Sequence, residues 1–559
     1  MAMALPKSGL GRFLKEGTMH FKGMDEAVER NIEACIELAG HTRTSYGPLG
    51  MNKMVINHLE KLFVTNDAYT VLSELEVAHP AARMLVLAAT MQQKEVGDGT
   101  NAVVLLSSAL LENGLELLKM GLSPVEVARG YELAAEKALE LLPELCVEKA
   151  EQLRDAERVC RVLKPAIASK QHGYEDFLAE LVAKACVRIA PANLKSFNVD
   201  NVRVCKISGG GVLQSSVMSG MVFKRGAEGV VKMVSEASIA VFTCPFDLTQ
   251  TETKGTVLIQ TADELMNFSK GEEEEVEKQV RQLHEAGVNL VVSGGKFGDL
   301  YTHFLDKYNI MGVRLQSKFD LRRLCRTVGA IAQPKIAAPS AEALGRCAEV
   351  LVEEVGDTEV VVFRSAVEQS AATTDEAAAV ATLVLRASSD NLLDDVERAV
   401  NSAVNTYKAL TKDNRLVAGA GAAEMELARQ LESFGEKCAG LEQYAVKQFA
   451  LALDTLPKLI ADNAGLKATE VLSELYAAHQ RGETTAGVAI EAGDDEDAVK
   501  GVTDALKDGI LDPLVLKHWA IKLASNAAAT VLKVDQIIMA KQAGGPKPKD
   551  PKGMDADDD

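Results

Sequence analysis

The stretch Glu95–Leu106 reads EVGDGTNAVVLL, and its reading decides what kind of chain this is. One carboxylate, Asp98, sits between Gly97 and Gly99, and an apolar run of helical character opens just after Thr100 and Asn101. A helix start leaves backbone N–H groups without partners inside the helix, and such groups attract anions. A carboxylate beside them adds the second element that a magnesium ion and a phosphate require together. The same residues also serve as a plain helix start, so the rest of the chain has to choose.

At 559 residues the chain exceeds what one compact core accommodates, and roughly two to four domains are expected. Apolar residues make up 47% and charged residues 25%, ordinary proportions for a globular protein. A formal net charge of −19 with only 4% aromatic residues argues against a nucleic-acid partner, which needs a basic surface and stacking rings. Nine cysteines stand at 35, 146, 160, 186, 205, 244, 325, 347 and 438, without CxxC or zinc spacing. They read as buried free thiols of a reducing compartment. The N-terminal MAMALPKSGLGRFLKEG lacks a signal-peptide core, and no apolar run approaches membrane-spanning length. A cytoplasmic protein with no membrane partner is expected.

The first third reads as helical. SPVEVARGYELAAEKALELL (123–142) opens with Ser123 as N-cap, Pro124 at the first helical position and Glu126 closing a capping box. Val127, Tyr131, Ala134, Ala138 and Leu142 then fall on one buried stripe. The middle changes character. ASIAVFTCP (237–245), GTVLIQ (255–260), VNLVVSGG (288–295), MGVRLQ (311–316), TEVVVFRS (358–365) and ATLVLRAS (381–388) are short strand-like runs alternating with helical segments. An α/β domain inserted between helical parts follows. From about residue 390 long helices return and continue to Lys541, and AGGPKPKDPKGMDADDD (543–559) reads as a disordered tail.

No Walker A motif is present, and no GxGxxG follows a strand. The chain offers other glycine turns. TSYGPLGMNK (44–53) sets Gly47 and Gly50 around Pro48, a tight turn or an anion cradle. FVTNDAYTVLSEL (63–75) puts Asn66 and Asp67 before a helical run, where Asp67 also fits an N-cap. In SSDNLLDDVERAVNSAVNTYKAL (388–410), Leu392, Val396, Ala399, Ala403, Tyr407 and Leu410 form one stripe. Asp394 points away from that stripe into solvent, whereas Asp395 lies at its edge, free to face a cleft. RLVAGAGAAEMELARQL (415–431) is a glycine turn feeding a helix, and Asp512–Pro513 reads as an N-cap with a first-position proline.

Together and in this order, TSYGPLGMNKMV, VTNDAYTVLSEL, VGDGTN, RLVAGAGAAE and DPLVLKHWAIKLASNAAATVLKVDQII resemble the group II chaperonins, over about residues 18 to 541. The stretches HLEKLFVTND, CPFDLTQTETKGTVLIQTADELMNFSKGEEE and VDQIIMAKQAGGPKP narrow the resemblance to one subunit type of the eukaryotic cytosolic member of that family. The resemblance implies a multidomain α and α/β chain with the group II chaperonin fold. An equatorial domain would take 1–150 and 411–559, an intermediate domain 151–220 and 378–410, and an apical domain 221–377. The apical domain would carry a lid protrusion near TADELMNFSKGEEEEVEKQV (261–280), where Glu272–Glu275 also read as a solvated helix face.

The resemblance also implies ATP and Mg²⁺ as cofactors. Tyr46 and Gly47 would carry the phosphates, Asp98 the metal, and Gly99, Thr100 and Asn101 backbone and side-chain donors. Asp67 and Asp395 would position and activate the attacking water. Ser169 and Lys170, in IASKQ, would belong to a loop sensing the γ-phosphate; Gly421 would lie against the nucleoside; Asp512 would bond the ribose with Lys517 nearby. Partners would be paralogous subunits in a stacked double ring, a hetero-oligomer, and unfolded clients such as actin and tubulin. Three departures from the family pattern leave the turnover rate open: Ala68–Tyr69 in NDAYT, Asn101 in GDGTN, and Ala420 in GAG. The alternative is a ring member that binds nucleotide but hydrolyses it slowly. A small-molecule kinase or ATPase acting alone leaves the insertion and the tail without a task.

Overall fold

The computed structural model describes residues 19–20, 24–247, 261–364, 380–490 and 501–539. The 543–559 tail and the 255–260 strand expectation lie outside them.

The chain opens with β1 (Met19–His20), α1 (Met24–Arg43), a hairpin of β2 (Lys53–Ile56) and β3 (Leu62–Thr65), and the short α2 (Ala68–Glu74). Three long helices follow: α3 (Pro80–Glu95), α4 (Thr100–Lys119) and α5 (Pro124–Leu141). Next come β4 (Cys146–Lys149), α6 (Ala156–Ala168), α7 (Glu175–Arg188), β5 (Val202–Ser208) and β6 (Ser216–Ser219). The alternating middle contains β7 (Met221–Phe223), β8 (Met233–Phe242), α8 (Ala262–Glu285), β9 (Leu290–Ser293) and α9 (Asp299–Lys307). It continues through β10 (Met311–Arg314), α10 (Lys318–Val328), β11 (Gly345–Val355) and β12 (Thr358–Arg364). β13 (Ala381–Ala387), α11 (Asp390–Lys412) and β14 (Arg415–Ala418) lead back to helices α12 (Ala422–Gly435), α13 (Glu442–Leu453), α14 (Thr455–Asn463) and α15 (Ala468–Gln480). The hairpin β15 (Ala486–Val488) and β16 (Val502–Asp504), then β17 (Leu511–Pro513), α16 (Leu514–Leu532) and β18 (Ile538–Met539) complete it.

Local signals account for much of this. Ser123 caps α5 through the full capping box with Glu126, and the stripe Val127, Tyr131, Ala134, Ala138, Leu142 is buried. Tyr131 meets Phe449 of α13 edge to face at 5.9 Å and donates its hydroxyl to Leu110 O at 2.8 Å. One core therefore draws on both ends of the chain: α1, α3, α4 and α5 pack with α12, α13 and α16. Each large apolar side chain fully buried there contributes about 1.5–3 kcal/mol. The expectation that no apolar run is long enough to span a membrane needs correcting for α4. Its 20 residues have the length and hydropathy of a span. Val103 to Leu111 are buried against α1, α3 and α16, so α4 is the central core helix.

A second core joins α6 and α7 to β13 and α11, with Tyr407 donating to Leu153 O at 2.9 Å. The inserted section builds a six-stranded sheet of order β10-β9-β8-β11-β12-β7 with apolar clusters of its own. The runs at 237–245, 288–295, 311–316 and 358–365 supply β8, β9, β10 and β12 of it. The run at 381–388 is β13, which pairs instead with β5 and β6. β11 escapes a reading by apolar runs because Arg346, Glu349, Glu353 and Glu354 interrupt it. On α8, Glu273, Glu274 and Glu275 are exposed while Val276 and Val280 are buried, as a solvated helix face requires.

The helical return after residue 390 is less continuous than its sequence implies. β14, the β15–β16 hairpin and β17 interrupt it, and α16 ends at Leu532, short of Lys541. Ile538–Met539 instead pairs with Met19–His20, joining the two chain ends. Asp512 is not an N-cap either. It lies in β17 opposite Val417 of β14, and Pro513 is the cap of α16. A long-range strand pairing overrides the local Asp–Pro signal.

Candidate functional site

A cavity of about 1100 Å³ opens where both chain ends meet the α6–α7 turn. Tyr46, Gly47, Asp67, Asp98, Gly99, Thr100, Asn101, Ser169, Lys170, Asp512 and Lys517 all line it. Asp395 and Gly421 do not.

Its floor is the α3–α4 turn. Gly99 is the N-cap of α4 in the left-handed region (φ +74°) and provides no side-chain cap. The first-turn N–H groups thus face the cavity side without a side-chain acceptor, at the positive end of the helix dipole. Gln92 fixes the turn by donating to Asp98 O at 3.0 Å and to Leu516 O at 3.4 Å. Gly97 has φ +82°, and a Cβ there would lie 2.5 Å from the Asn405 side chain of α11. The glycine is demanded by backbone conformation and by the approach of α11. Asn101 lines the cavity, and its amide donates to Thr42 O (3.1 Å) and Ser45 Oγ (3.4 Å). The side-chain donors are committed to the end of α1, and Oδ1 is left buried without a partner. The neighbouring turn is held by Asn463, whose amide donates to Tyr46 O at 2.7 Å, with Gly47 at φ +89°. Burial raises the Tyr46 phenol, opposed by the Lys517 charge, and keeps it neutral.

Above this floor stands a compact charge cluster. Lys170 Nζ lies 2.9 Å from Asp67 Oδ1 and 3.9 Å from Asp98 Oδ1, and donates to Ser402 Oγ of α11 at 2.5 Å. Asp67 doubles as the N-cap of α2, accepting from Thr70 N at 3.1 Å. Burial pushes the Asp67 carboxyl up, but the Lys170 charge and the bonds from Lys170 and Thr70 overcome this and leave it below its ordinary value. Asp98 goes the other way: burial raises it, and Lys170 offsets that incompletely. Burial lowers the Lys170 ammonium, yet Asp67 and Asp98 outweigh it and hold the proton more tightly than usual.

Asp395 sits behind this layer, buried to 4% exposure. Thr65 Oγ1 donates to its Oδ1 at 2.6 Å, Arg398 to the same oxygen at 3.1 Å, and Gln171 Nε2 to Oδ2 at 3.0 Å. Thr65 also accepts from the Asp67 N–H at 3.0 Å, linking the two carboxylate positions. Asp394, expected in solvent, is half-buried and pairs with Lys206 at 2.6 Å.

At the far wall Lys517 Nζ reaches Glu424 at 2.5 Å and Asp512 at 3.0 Å. Asp512, Glu424 and Tyr46 hold its ammonium charged well above the usual range against the opposing effect of burial. Glu424 is a cavity residue that sequence reasoning missed, since it looks like any helix glutamate; its Oε2 is buried without a partner. The glycine turn also departs from expectation. Gly421 (φ +81°) packs on Pro457, where a Cβ would sit 2.6 Å from the ring, whereas Ala420 (φ +53°) faces the cavity. Similarly Ala68 lines the cavity and Tyr69 does not.

Among the described residues no group of three or more His, Cys, Asp or Glu side chains forms a metal cage. Asp98 instead offers one half-buried carboxylate beside uncapped N–H donors. That set suits Mg²⁺, which takes one or two carboxylates and completes its shell with phosphates and water.

The chain belongs to the TCP-1/cpn60 chaperonin family, whose pattern matches residues 38–542. It is 60% identical to the T-complex protein 1 subunit theta of Caenorhabditis elegans and 58% identical to that of Homo sapiens, covering 100% of both chains in each pair. The theta subunit of Gallus gallus is 56% identical over 98% of each chain.

Proposed function

We propose that this chain is one subunit of an ATP-driven, hetero-oligomeric double-ring chaperonin of the cytoplasm. It binds ATP with Mg²⁺ in the cavity described above and couples hydrolysis to lid closure over unfolded client polypeptides such as actin and tubulin. The equatorial domain would comprise 1–150 and 411–559, the intermediate domain 151–220 and 378–410, and the apical domain 221–377. Distinct apolar clusters in the both-ends helical part, around α11 and in the six-stranded sheet support that division. Met54 (68% exposed), Ile56 (66%) and Leu59 (73%) on the β2–β3 hairpin support contacts with further subunits, since such apolar surface is costly in an isolated chain.

The observation that carries the nucleotide reading is the meeting of the α4 N-terminus, Asp98, Asp67 and Lys170 on one cavity. Phosphoryl transfer to water requires positioning and charge neutralisation more than covalent chemistry. The uncapped first turn of α4 and the Lys170 ammonium would bind the phosphate oxygens. Asp67 would orient the attacking water, and Asp395, carried on α11, would accept its proton. Lys517 and Asp512 would hold the sugar end. Bound Mg²⁺, held by Asp98, would supply further charge neutralisation.

Photolabelling of the assembled particle with an azido-ATP, read on this chain by mass, tests the reading. Labelling is expected to need Mg²⁺ and to drop at least tenfold in Asp98→Asn; label independent of both would sink it. The slow-turnover alternative draws support from Ala420 at the cavity wall and from Asp395 lying behind it. Equal ATP turnover in wild-type and Asp395→Ala particles would favour that alternative.

A further inference from the structure

The chemistry assigned to Asp395 needs its carboxylate to face a water in the cavity, yet three protein donors fill all but one of its four acceptor positions and hold it behind the cavity wall. Oδ1 is held twice, by Thr65 and Arg398, and Oδ2 once, by Gln171. Thr65 is in turn fixed by the Asp67 N–H, and Arg398 rides on the same helix as Asp395, one turn away. Gln171 is different. It sits in the α6–α7 turn, is 8% exposed, and is the neighbour of Lys170. Lys170 divides its ammonium among Asp67, Asp98 and Ser402. An anion entering the cavity competes with Asp67 for that ammonium, and a shift of Lys170 pulls on Gln171 across one peptide bond.

We propose that Gln171 is a positioning residue that parks Asp395: its amide occupies Oδ2 and holds the carboxylate out of the cavity until Lys170 is drawn onto the bound nucleotide. This rests on the reading of Asp395 as the group that accepts the water's proton. Gln171 then makes proton acceptance conditional on an occupied site. Asn66 strengthens the link, because its amide donates to both Ser169 O and Lys170 O at 3.3 Å and ties the turn to the strand end that carries Asp67.

The test uses the assembled particle, with Asp395→Ala particles defining the turnover due to all other sites. Gln171→Ala is expected to raise the Asp395-dependent turnover by about threefold to tenfold, the equivalent of one released hydrogen bond, with the KM for ATP unchanged. Loss of the donor also leaves the carboxylate easier to protonate. The acid limb of the rate profile is then expected at higher pH, with Asp67, Lys170 and Arg398 still facing it. Gln171→Met, which keeps the length of the side chain but has no donor to offer Oδ2, should act in the same direction. It serves as the second variant where Gln171→Ala particles fail to assemble. In nucleotide-free particles, hydrogen–deuterium exchange at 169–173 should rise in Gln171→Ala and in Asp395→Asn alike. Asp395-dependent turnover that falls or stays constant in both Gln171 variants overturns the proposal. Asp395→Ala turnover equal to wild type overturns it differently, by removing the role of Asp395 itself.

Discussion

Lys170 Nζ lies 2.9 Å from Asp67 Oδ1, and the same Asp67 carboxylate caps α2 through Thr70. One side chain thus terminates a helix and neutralises a buried ammonium. Removing its partner leaves a charge out of water with only cap bonds to satisfy it.

Lys170→Met is accordingly expected to cost about 3–5 kcal/mol, the penalty for orphaning one member of a buried pair. Asp67 is held below its ordinary 3.8 because Lys170 and Thr70 overcome the effect of burial. Its contribution is present above the unfolded value near 4 and disappears as pH falls through the lower folded value. Urea unfolding from pH 7 to pH 3 should show the two proteins far apart at neutrality and converging in acid.

Asp454 carries the opposite sign. Burial pushes its carboxyl up to about 6, against the hydroxyl bond from Tyr476, and its Oδ1 has no partner. The folded state holds this proton more tightly than the unfolded chain does, so stability falls as pH rises from about 4 to about 6. Asp454→Asn is expected to stabilise the protein by roughly 2–3 kcal/mol at pH 7.5. The gain should shrink by pH 5 in paired unfolding curves.

Gly97→Ala meets two obstacles at once, the left-handed φ and the Asn405 side chain. A loss of about 2–4 kcal/mol is expected from backbone strain and overpacking together, with azido-ATP labelling reduced because Asp98 moves. Adding Asn405→Gly should restore part of the stability, since it relieves the clash but leaves the strain and adds about 0.5–1 kcal/mol for a glycine inside α11. Full restoration would mean that the φ value costs nothing.

Ala420 is a non-glycine residue at φ +53° on the cavity wall. Ala420→Gly removes a left-handed penalty of about 1–2 kcal/mol while freeing the unfolded chain by up to about 1 kcal/mol. Stability should therefore change by less than about 1 kcal/mol, whereas nucleotide labelling should tighten. Weaker labelling would show that the methyl group is a useful contact.

What the sequence revealed were features encoded locally. The capping box of Ser123 and Glu126, the Asp67 cap and the apolar stripe of α11 are each written within a few residues, and each is present. Convergence of Tyr46, Asp67, Asp98, Lys170 and Lys517 on one cavity was legible only through family resemblance, because no periodicity joins them. Placements that local sequence could not foretell have one cause. Asp512 joins a strand because β14 pairs with it, Asn101 faces the end of α1, and Gly421 packs on Pro457 while Ala420 takes the cavity. Each is settled by a partner far away in the chain. Thr65, Gln171 and Glu424 went unnoticed for the same reason, being unremarkable until their partners are known.

The packing of α4 has a consequence for how this protein is made. The helix is apolar enough to span a membrane, and part of its cover comes from α13, α14 and α16, the last ending at Leu532. At about 5–20 residues per second, the ribosome needs on the order of a minute between α4 and α16. Throughout that interval a greasy surface stays uncovered on the nascent chain. A member of a chaperonin family thus exposes, during its own synthesis, the kind of apolar surface that promotes aggregation.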